Sequence, residues 1–351
     1  MGSRFGKVVA LLLSVALLAT LAVGCKKSTS STTTPKSSIK TAMVTDIGGL
    51  GDKSFNDLSY TGLKLAEKDF GVTIKVLESS DPVQYEPNLT QLASAGYNPI
   101  FAVGFLMQTT VSKVSTAYPD VTFAGIDCFF DPTIPNVVGL NFKEQEAAYL
   151  AGVVAGKLTT MTDVDPRINS QPVVGFVGGM DVVPAVVRFK VGFEAGAKAA
   201  NPAVQVKSIY TGTFTDQQKG KEAALSLIGD GCDIIFAAAG STGVGSFTAC
   251  QEQKKLFIGV DADQFLTLTN PGDTIITSAV KRVDQAVYAT VKAAVNGTLK
   301  GGSNTVFGLS DKGVALAPYH DWDSKMPQAV KDAVTKAEQD IISGAVTVPS
   351  S

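Results

Sequence analysis

The sequence predicts an α/β protein of two lobes, each built on a parallel sheet covered by helices. The chain has 351 residues, which is more than one hydrophobic core usually serves. Short apolar runs alternate with longer amphipathic stretches, the pattern of parallel strands joined by helices. The apolar runs at 41–45 and 234–238 each lead into a glycine-rich bend and a helix start, as the βα turns of an open sheet do.

The predicted elements follow one another in this alternating order. Strands are predicted for the apolar runs at residues 41–45, 73–77, 100–103, 122–126, 137–139, 173–177, 205–210, 234–238, 257–260 and 275–279. Helices are predicted for the amphipathic stretches at residues 58–70, 85–95, 107–118, 143–158, 182–200, 216–228, 242–253, 282–296 and 327–343. Two Rossmann-like halves fit this order, the first ending near residue 139 and the second near residue 260.

Residues 1–25 are predicted to be a targeting segment. Arg4 and Lys7 precede an apolar run at 8–23, the arrangement of a secretory signal. A retained membrane helix is the alternative, but the run is shorter than the roughly 20 apolar residues that a span needs. The run ends at Cys25, and residues 22–25 resemble the lipobox of bacterial lipoproteins, although leucine is usual where Ala22 stands. That resemblance implies that Cys25 receives lipid.

Residues 26–38 are nearly all serine, threonine and lysine. Such a segment buries too little apolar surface to offset the entropy lost on ordering, so it is predicted to be a flexible tether. A lipid anchor and a tether would hold the globular body near a membrane and leave it free in solution.

Composition argues against several function classes. The formal net charge is −2, which gives no basic surplus for a nucleic-acid partner. His320 is the single histidine, so triad and histidine-metal chemistry would depend on one residue in a predicted loop. Paired carboxylates such as Asp261 and Asp263 leave glycoside hydrolysis as an alternative, but we expect a protein that is not an enzyme, with no metal and no cofactor.

Cysteine usage is sparse. With Cys25 assigned to lipid, Cys128, Cys232 and Cys250 remain, a number that permits at most one disulfide. Buried free thiols are the favoured interpretation.

Residues 43–57, MVTDIGGLGDKSFND, carry the strongest local signal for a binding site. An apolar run ends at Asp46, a glycine-rich bend follows, and Phe55 and Asn56 lead into a helix. The loop offers a carboxylate, backbone N–H groups and an aromatic face at the ligand-binding edge of a sheet. An ordinary βα turn whose glycines serve only the bend is the alternative.

A second glycine-rich loop, AGSTGVG at residues 239–245, follows a buried run and precedes a helix. It matches neither G-x-G-x-x-G nor the P-loop, so a nucleotide cofactor is a weak prediction. Small residues such as Gly240 do let a ligand approach the backbone closely.

Several stretches together resemble the basic membrane protein (Bmp, PnrA-like) family of bacterial substrate-binding lipoproteins. After the opening segment at 43–57, the matching stretches are FAGID at 123–127, NF at 141–142 with AYLAG at 148–152, GGM at 178–180, RF at 188–189 with GFEAG at 192–196, the glycine-rich run at 240–245 and GVDADQ at 259–264. They occur in order and span nearly everything after residue 40.

The resemblance implies the type I periplasmic-binding-protein fold. In that fold the chain crosses between two lobes three times, making a hinge with the ligand cleft between them. It implies a first lobe of residues 39–140 and 262–303 and a second of residues 141–261 and 304–348. The strand and helix at 275–297 would both belong to the first lobe.

The resemblance also implies binding of nucleosides, often purines, and delivery to an ABC importer. A nucleoside needs a flat apolar slot for its base and hydrogen-bonding groups for its ribose and base edge. Phe55 and Phe214 could stack on the base, and Asp46 and Asn56 could bind its edge. The ribose could be held by Asp261 and Lys281, with Asp127 nearby, and the resemblance adds Met180 and Gly240 to the site.

The sequence therefore predicts a lipid-anchored nucleoside receptor, monomeric, whose partners are its ligand and an ABC permease. A receptor of the same fold for a sugar or an autoinducer is one alternative. A cytoplasmic regulator is another, but no helix-turn-helix precedes the body and a signal segment does.

Overall fold

The computed structural model describes residues 37–351. The predicted signal segment, the predicted lipidation site at Cys25 and most of the predicted tether lie outside these residues. Within 37–351, no helix is both apolar and long enough to span a bilayer.

The described chain contains two six-stranded sheets, and each is the centre of one lobe. The first sheet consists of β1 (Lys40–Val44), β2 (Thr73–Leu77), β3 (Ile100–Val103), β4 (Phe123–Ile126), β5 (Val137–Phe142) and β11 (Ser303–Phe307). The second sheet consists of β6 (Val173–Gly178), β7 (Gln205–Tyr210), β8 (Ile234–Ala238), β9 (Leu256–Asp261), β10 (Ile275–Lys281) and β12 (Val314–Leu316).

The strand order is β11-β5-β4-β3-β1-β2 in the first sheet and β12-β10-β9-β8-β6-β7 in the second. All pairings are parallel except that of β10 with β12. Inner strands such as β3 and β8 are buried at every residue, whereas the edge strands β2 and β7 contain no buried residue. Strands covered by helices on both faces read as continuous apolar runs, which is why the inner strands were readily predicted.

Ten α-helices cover these sheets within the described residues. They are α1 (Phe55–Phe70), α2 (Tyr85–Ser94), α3 (Gln108–Ala117), α4 (Glu144–Leu158), α5 (Pro184–Ala200), α6 (Gln217–Gly229), α7 (Gly240–Glu252), α8 (Gln264–Thr267), α9 (Val283–Val295) and α10 (Gln328–Ile342). Helix α1 packs on α9 in the first lobe, and α4 packs on α5 and α10 in the second. Glycines make the α4–α5 packing close, because a Cβ at Gly152 or Gly196 would collide with the backbone of the opposite helix.

The chain crosses between the lobes three times, as the predicted fold class requires. The crossings lie between β5 and α4, between β10 and α9, and between β11 and β12. The first and third run side by side, because the Lys143 N–H donates to the Phe307 carbonyl at 2.8 Å.

One part of the predicted lobe assignment is wrong. The segment 275–297 was expected to join the first lobe as a unit, but strand β10 pairs with β9 in the second sheet. Only helix α9 lies in the first lobe, against α1. The second crossing therefore falls after Lys281 rather than at residue 261, and the third falls after Phe307, because β11 pairs with β5. Sheet membership depends on long-range pairing, which a strand's own sequence does not encode.

Cys128, Cys232 and Cys250 are buried free thiols in the described chain.

Candidate ligand-binding site

A pocket lies between the carboxyl ends of the two sheets. Its walls come from the segments that follow β1, β3 and β4 in the first lobe and β6, β7, β8, β9 and β10 in the second. The lining residues are Asp46, Gly48, Asp52, Phe55, Asn56, Gly104, Phe105, Leu106, Asp127, Val183, Ala185, Val186, Phe189, Phe214, Ala238, Ala239, Gly240, Val260, Asp261 and Lys281. The space among these residues, with the open solvent at its mouth included, is about 590 Å³. Ligands of open α/β sheets bind at this strand edge.

The loop after β1 is organised by Asp52. One of its carboxylate oxygens accepts the backbone N–H groups of Ser54 (3.0 Å) and Asp57 (3.1 Å). The other accepts the backbone N–H (2.8 Å) and the side-chain Nδ2 (3.1 Å) of Asn56. Asp52 thereby satisfies the free N–H groups at the start of α1, where Ser54 makes no side-chain cap. Burial raises the pKa of the Asp52 carboxyl to about 7, although these N–H groups oppose the rise.

Asp46 and Asn56 form the polar side of the pocket in the first lobe. Oδ1 of Asp46 accepts from Asn56 Nδ2 and from the Gly48 N–H, both at 2.9 Å. Since Asn56 Nδ2 donates to both Asp46 and Asp52, its amide orientation is set and Oδ1 is left facing away from them. Burial raises the pKa of the Asp46 carboxyl above its ordinary value, and the hydrogen bond from Asn56 offsets part of this rise.

Aromatic rings from both lobes face the pocket, and glycines give them room. Gly104, with φ of 115°, lies under Phe55, where a Cβ would come within 3.5 Å of the ring and 3.1 Å of Asp46 Oδ2. In the second lobe, a Cβ at Gly179 would collide with the ring of Phe214. Phe189 of α5 adds a third ring to the lining.

Two strand ends present a carboxylate in the same unusual backbone conformation. Asp127 follows β4 with φ of 60°, and Asp261 ends β9 with φ of 59°. Residues other than glycine rarely adopt a positive φ, and when they do the strain is often stored at a functional site. One carboxylate comes from each lobe, and both are buried.

Lys281 lies between these carboxylates, at the end of β10. Its ammonium is 2.8 Å from Asp127 Oδ2 and 3.6 Å from Asp261 Oδ1, and it lies 4.5 Å from the centre of the Phe55 ring. Burial works to lower the pKa of Lys281, but the surrounding carboxylates outweigh it and raise the pKa. The ammonium is therefore charged, and its bond to Asp127 joins the two lobes.

A partly buried ion pair of the second lobe lies next to Lys281. Glu144, at the start of α4, accepts from Arg188 Nε at 2.6 Å, and its other oxygen lies 3.5 Å from Lys281 Nζ. The pair was not predicted. Arg188 lies within the matched stretch at 188–189, but the sequence alone shows no partner for it.

Several buried acceptors around the pocket have no hydrogen-bond partner within the described residues. They include Asn56 Oδ1, Asp127 Oδ1 and Asp261 Oδ1. An unsatisfied buried polar group costs about 1–3 kcal/mol, and native proteins contain few of them. Three on residues that line one pocket indicate a site that receives hydrogen-bond donors.

The structure brings the predicted binding residues together with one exception. Asp46, Phe55, Asn56, Asp127, Phe214, Gly240, Asp261 and Lys281 all line the pocket. Met180 does not. It follows β6, its carbonyl accepts the N–H of Val183 at 3.3 Å, and Val183 takes a place in the lining instead.

Several lining residues were not predicted. Gly104, Phe105 and Leu106 follow β3, and no motif marks that loop. Phe189 belongs to the matched stretch at 188–189, which was the one available signal for it. Most of these residues supply apolar wall, and apolar residues in a helix or loop look the same in sequence whether they face a core or a pocket.

Two mainly parallel sheets, three crossings and a pocket between the strand ends define a class: the solute-binding proteins with the periplasmic-binding-protein fold. A solute-binding protein of an ABC transporter system from Aeropyrum pernix K1 has the same fold, with a TM-score of 0.80 at 29% identity over 89% of this chain and 94% of that chain. Residues 39–351 match the family described as ABC transporter substrate-binding protein PnrA-like (Bmp). The chain belongs to this family.

Two relatives have names that are consistent with this family. One is named ABC transporter nucleoside-binding protein BmpA, from Lactococcus lactis subsp. cremoris, and is 32% identical over 97% of this chain and 96% of its own length. The other, from Pyrococcus abyssi, is named an uncharacterized lipoprotein and is 36% identical over 88% of this chain and 74% of its own length. The family is a class of substrate-binding proteins of ABC transporters and not a class of enzymes.

Proposed function

We propose that this protein captures purine nucleosides in the pocket between its lobes and delivers them to an ABC importer. The observation that carries the proposal is the pairing of two kinds of wall in one pocket. Phe55, Phe189 and Phe214 supply aromatic surface, and Asn56, Asp127 and Asp261 supply unpartnered buried acceptors. A nucleoside has a flat face and several donors, so it complements both walls. The name of the Lactococcus relative supports this ligand class.

The base would lie among the rings, with its edge towards Asp46 and Asn56. Because both Asn56 N–H groups are used within the protein, this side of the pocket offers acceptors: Asn56 Oδ1 and the Asp46 carboxylate. A base with ring or exocyclic N–H donors on that edge fits it, as guanine, hypoxanthine and adenine do. A ligand edge that carries only acceptors would leave these groups unpaired, which is how such sites discriminate.

The ribose would lie near Lys281. Asp127 and Asp261 each have one oxygen that accepts a hydrogen bond within the protein and one without a hydrogen-bond partner, and that oxygen of Asp261 faces the Lys281 ammonium at 3.6 Å. Ribose hydroxyls would donate to the two free oxygens, and the ammonium would hold both carboxylates in their charged form.

The proposed anchoring to the membrane rests on the predicted lipoprotein segment. Cys25 would carry the lipid, residues 26–38 would act as a tether, and the lobes would work at the outer face of the cell membrane as a monomer that meets the permease. The lipoprotein name of the Pyrococcus relative supports the anchor. Replacing Cys25 by serine should abolish acyl labelling, and equal labelling of the variant would refute the assignment.

Calorimetry on mature protein that has been unfolded, freed of ligand and refolded tests the ligand. Guanosine, inosine, adenosine and cytidine are compared with their 2′,3′-dideoxy analogues, ribose and arabinose. We expect Asp261→Ala to weaken ribonucleosides by about 1.5–3 kcal/mol more than their dideoxy analogues, the range for a hydrogen bond to a charged group. The bond from Ser54 that the same variant loses acts on both kinds of ligand alike. If no nucleoside binds and a sugar does, the proposal is wrong and the protein is a sugar receptor of the same fold.

A further inference from the structure

The two lobes also touch beside the pocket, through a small set of polar contacts that we call the clasp. It consists of Lys53 and Ser54, before α1 in the first lobe, and Gln264 and Thr267, on α8 in the second. The Lys53 carbonyl accepts Gln264 Nε2 at 3.2 Å and Thr267 Oγ1 at 3.0 Å. Neither Lys53, Gln264 nor Thr267 lines the pocket.

The first-lobe half of the clasp is held in place from within its own lobe. Lys53 has a left-handed φ of 58°, uncommon for a residue other than glycine. Its N–H and that of Gly51 donate to the two carboxylate oxygens of Asp57, at 3.1 and 2.7 Å. Because Asp57 belongs to α1, the Lys53 carbonyl is fixed relative to the helix that carries the base-binding residues.

The second-lobe half of the clasp is also held in place from within its own lobe. Gln264 Oε1 accepts the Val260 N–H at 3.2 Å, and the Gln264 N–H donates to Ser278 Oγ at 3.1 Å. The first of these bonds sets the amide orientation, so Nε2 is the end available to Lys53. Val260 precedes Asp261, and the clasp is therefore continuous with the strand end that carries a ligand-binding carboxylate.

Ser54 is the member of the clasp that contacts a residue of the pocket. Its hydroxyl donates across the lobes to Asp261 Oδ2 at 2.8 Å, and Phe55 and Asn56 come next in the chain. A bond between Lys53 and α8 thus holds the loop that carries the stacking ring against the strand end that carries the carboxylate.

We propose that Thr267 and Gln264 are positioning residues that hold the lobes closed over a bound ligand and set its residence time without touching it. This inference rests on the proposed function, in which the ligand is held between the lobes. The clasp contacts can form only when the lobes are together, whereas a ligand enters while they are apart. Loss of a clasp bond therefore speeds dissociation, leaves association nearly unchanged, and has the same effect on every ligand.

Thr267→Val is the test variant, because Thr267 is exposed and valine keeps its shape without the hydroxyl. Thr248→Val is the matched control, since the Thr248 hydroxyl donates at 3.0 Å to the Val244 carbonyl within one lobe. Thr267→Ser keeps the hydroxyl and is the rescue variant. Stopped-flow fluorescence measures association and dissociation rates for guanosine and for 2′,3′-dideoxyguanosine.

We expect Thr267→Val to dissociate both ligands about 3- to 10-fold faster, the effect of losing one net hydrogen bond. Association should change less than about twofold, and Thr267→Ser and Thr248→Val should behave as wild type. An unchanged dissociation rate would overturn the proposal. So would a factor that differs between the two ligands, since that would mean that Thr267 acts through the pocket.

A second measurement separates this inference from the ligand assignment. If wild-type protein binds neither ligand, the ligand class is wrong, and the clasp is tested by hydrogen exchange in the protein as purified, before any retained ligand is removed. The peptide covering residues 50–57 of the first lobe should exchange faster in Thr267→Val than in Thr248→Val, because a contact made by the other lobe has been removed. Equal exchange in the two variants would show that no such contact protects the loop.

Discussion

Replacing Lys281 by methionine should destabilise the protein and make its stability depend on pH in a defined way. Methionine keeps most of the side-chain volume and removes the charge. The ammonium lies 2.8 Å from Asp127, 3.5 Å from Glu144 and 3.6 Å from Asp261. At an effective dielectric constant near 20 the closest of these attractions is worth about 6 kcal/mol, and desolvation of the ions offsets much of it. Removing one partner of a buried pair costs about 3–5 kcal/mol, because the other charges stay buried.

The pH dependence follows from the carboxylates. Burial raises the pKa of Asp127 from an ordinary 3.8 to about 6, against the lowering effect of Lys281. A carboxyl with a raised pKa holds its proton more tightly in the folded than in the unfolded state, so its ionisation costs stability as the pH rises from about 4 to about 6. Without Lys281 the pKa rises further, and this cost keeps growing above pH 6 by about 1.4 kcal/mol per unit.

Urea unfolding at pH 8 and pH 5 measures both effects, with the single tryptophan, Trp322, as a buried fluorescent reporter. We expect Lys281→Met to lose about 3–5 kcal/mol at pH 8 and clearly less at pH 5. Lys336→Met is the control, because Lys336 pairs with Asp340 on an exposed face of α10 and should cost no more than about 1 kcal/mol. A loss equal to that of the control, or a loss that does not change with pH, would refute this account of the charge network.

Three further predictions concern the pocket. Phe55→Ala should weaken nucleosides and their dideoxy analogues alike by about 1–3 kcal/mol, because stacking acts on the base alone; calorimetry that finds a difference between the two would contradict this role. Ligand affinity should fall as the pH drops through about 6, where Asp127 gains a proton and its bond from Lys281 weakens. In Asp127→Asn, ligand titrations between pH 5 and pH 8 should show an affinity that no longer changes with pH. A variant that kept the pH dependence would show that another group causes it. Asp52→Ala should lower the unfolding free energy by about 1–3 kcal/mol, since backbone N–H groups at the start of α1 lose their acceptor, and a midpoint in urea equal to that of the wild type would disprove it.

The sequence by itself determined most of the elements and their order, although β11, β12 and α8 were not predicted. The inner strands are continuous apolar runs, and β2, β3, β7 and β8 lie within the bounds predicted for them. The loop after β1 could be recognised because a carboxylate and glycines follow a buried run there, a combination with a local physical reason. The end of β9 was recognised through the resemblance of the stretch at 259–264. Helix starts were less certain: α1 begins at Phe55 rather than at residue 58, because Asp52 binds the N–H groups of the helix start from outside the predicted helix.

Only the tertiary structure decided which of these elements meet. Strand β10 joins the second sheet because it pairs with β9, and the same pairing carries Lys281 to Asp127, which lies 154 positions away in the chain. Met180 has the family motif around it but lies outside the pocket, and Phe189, one more apolar residue of a helix, lines it. Apolar periodicity tells which residues are buried. Whether a residue is buried against a core, a neighbouring lobe or a pocket depends on long-range packing, and local sequence does not record it.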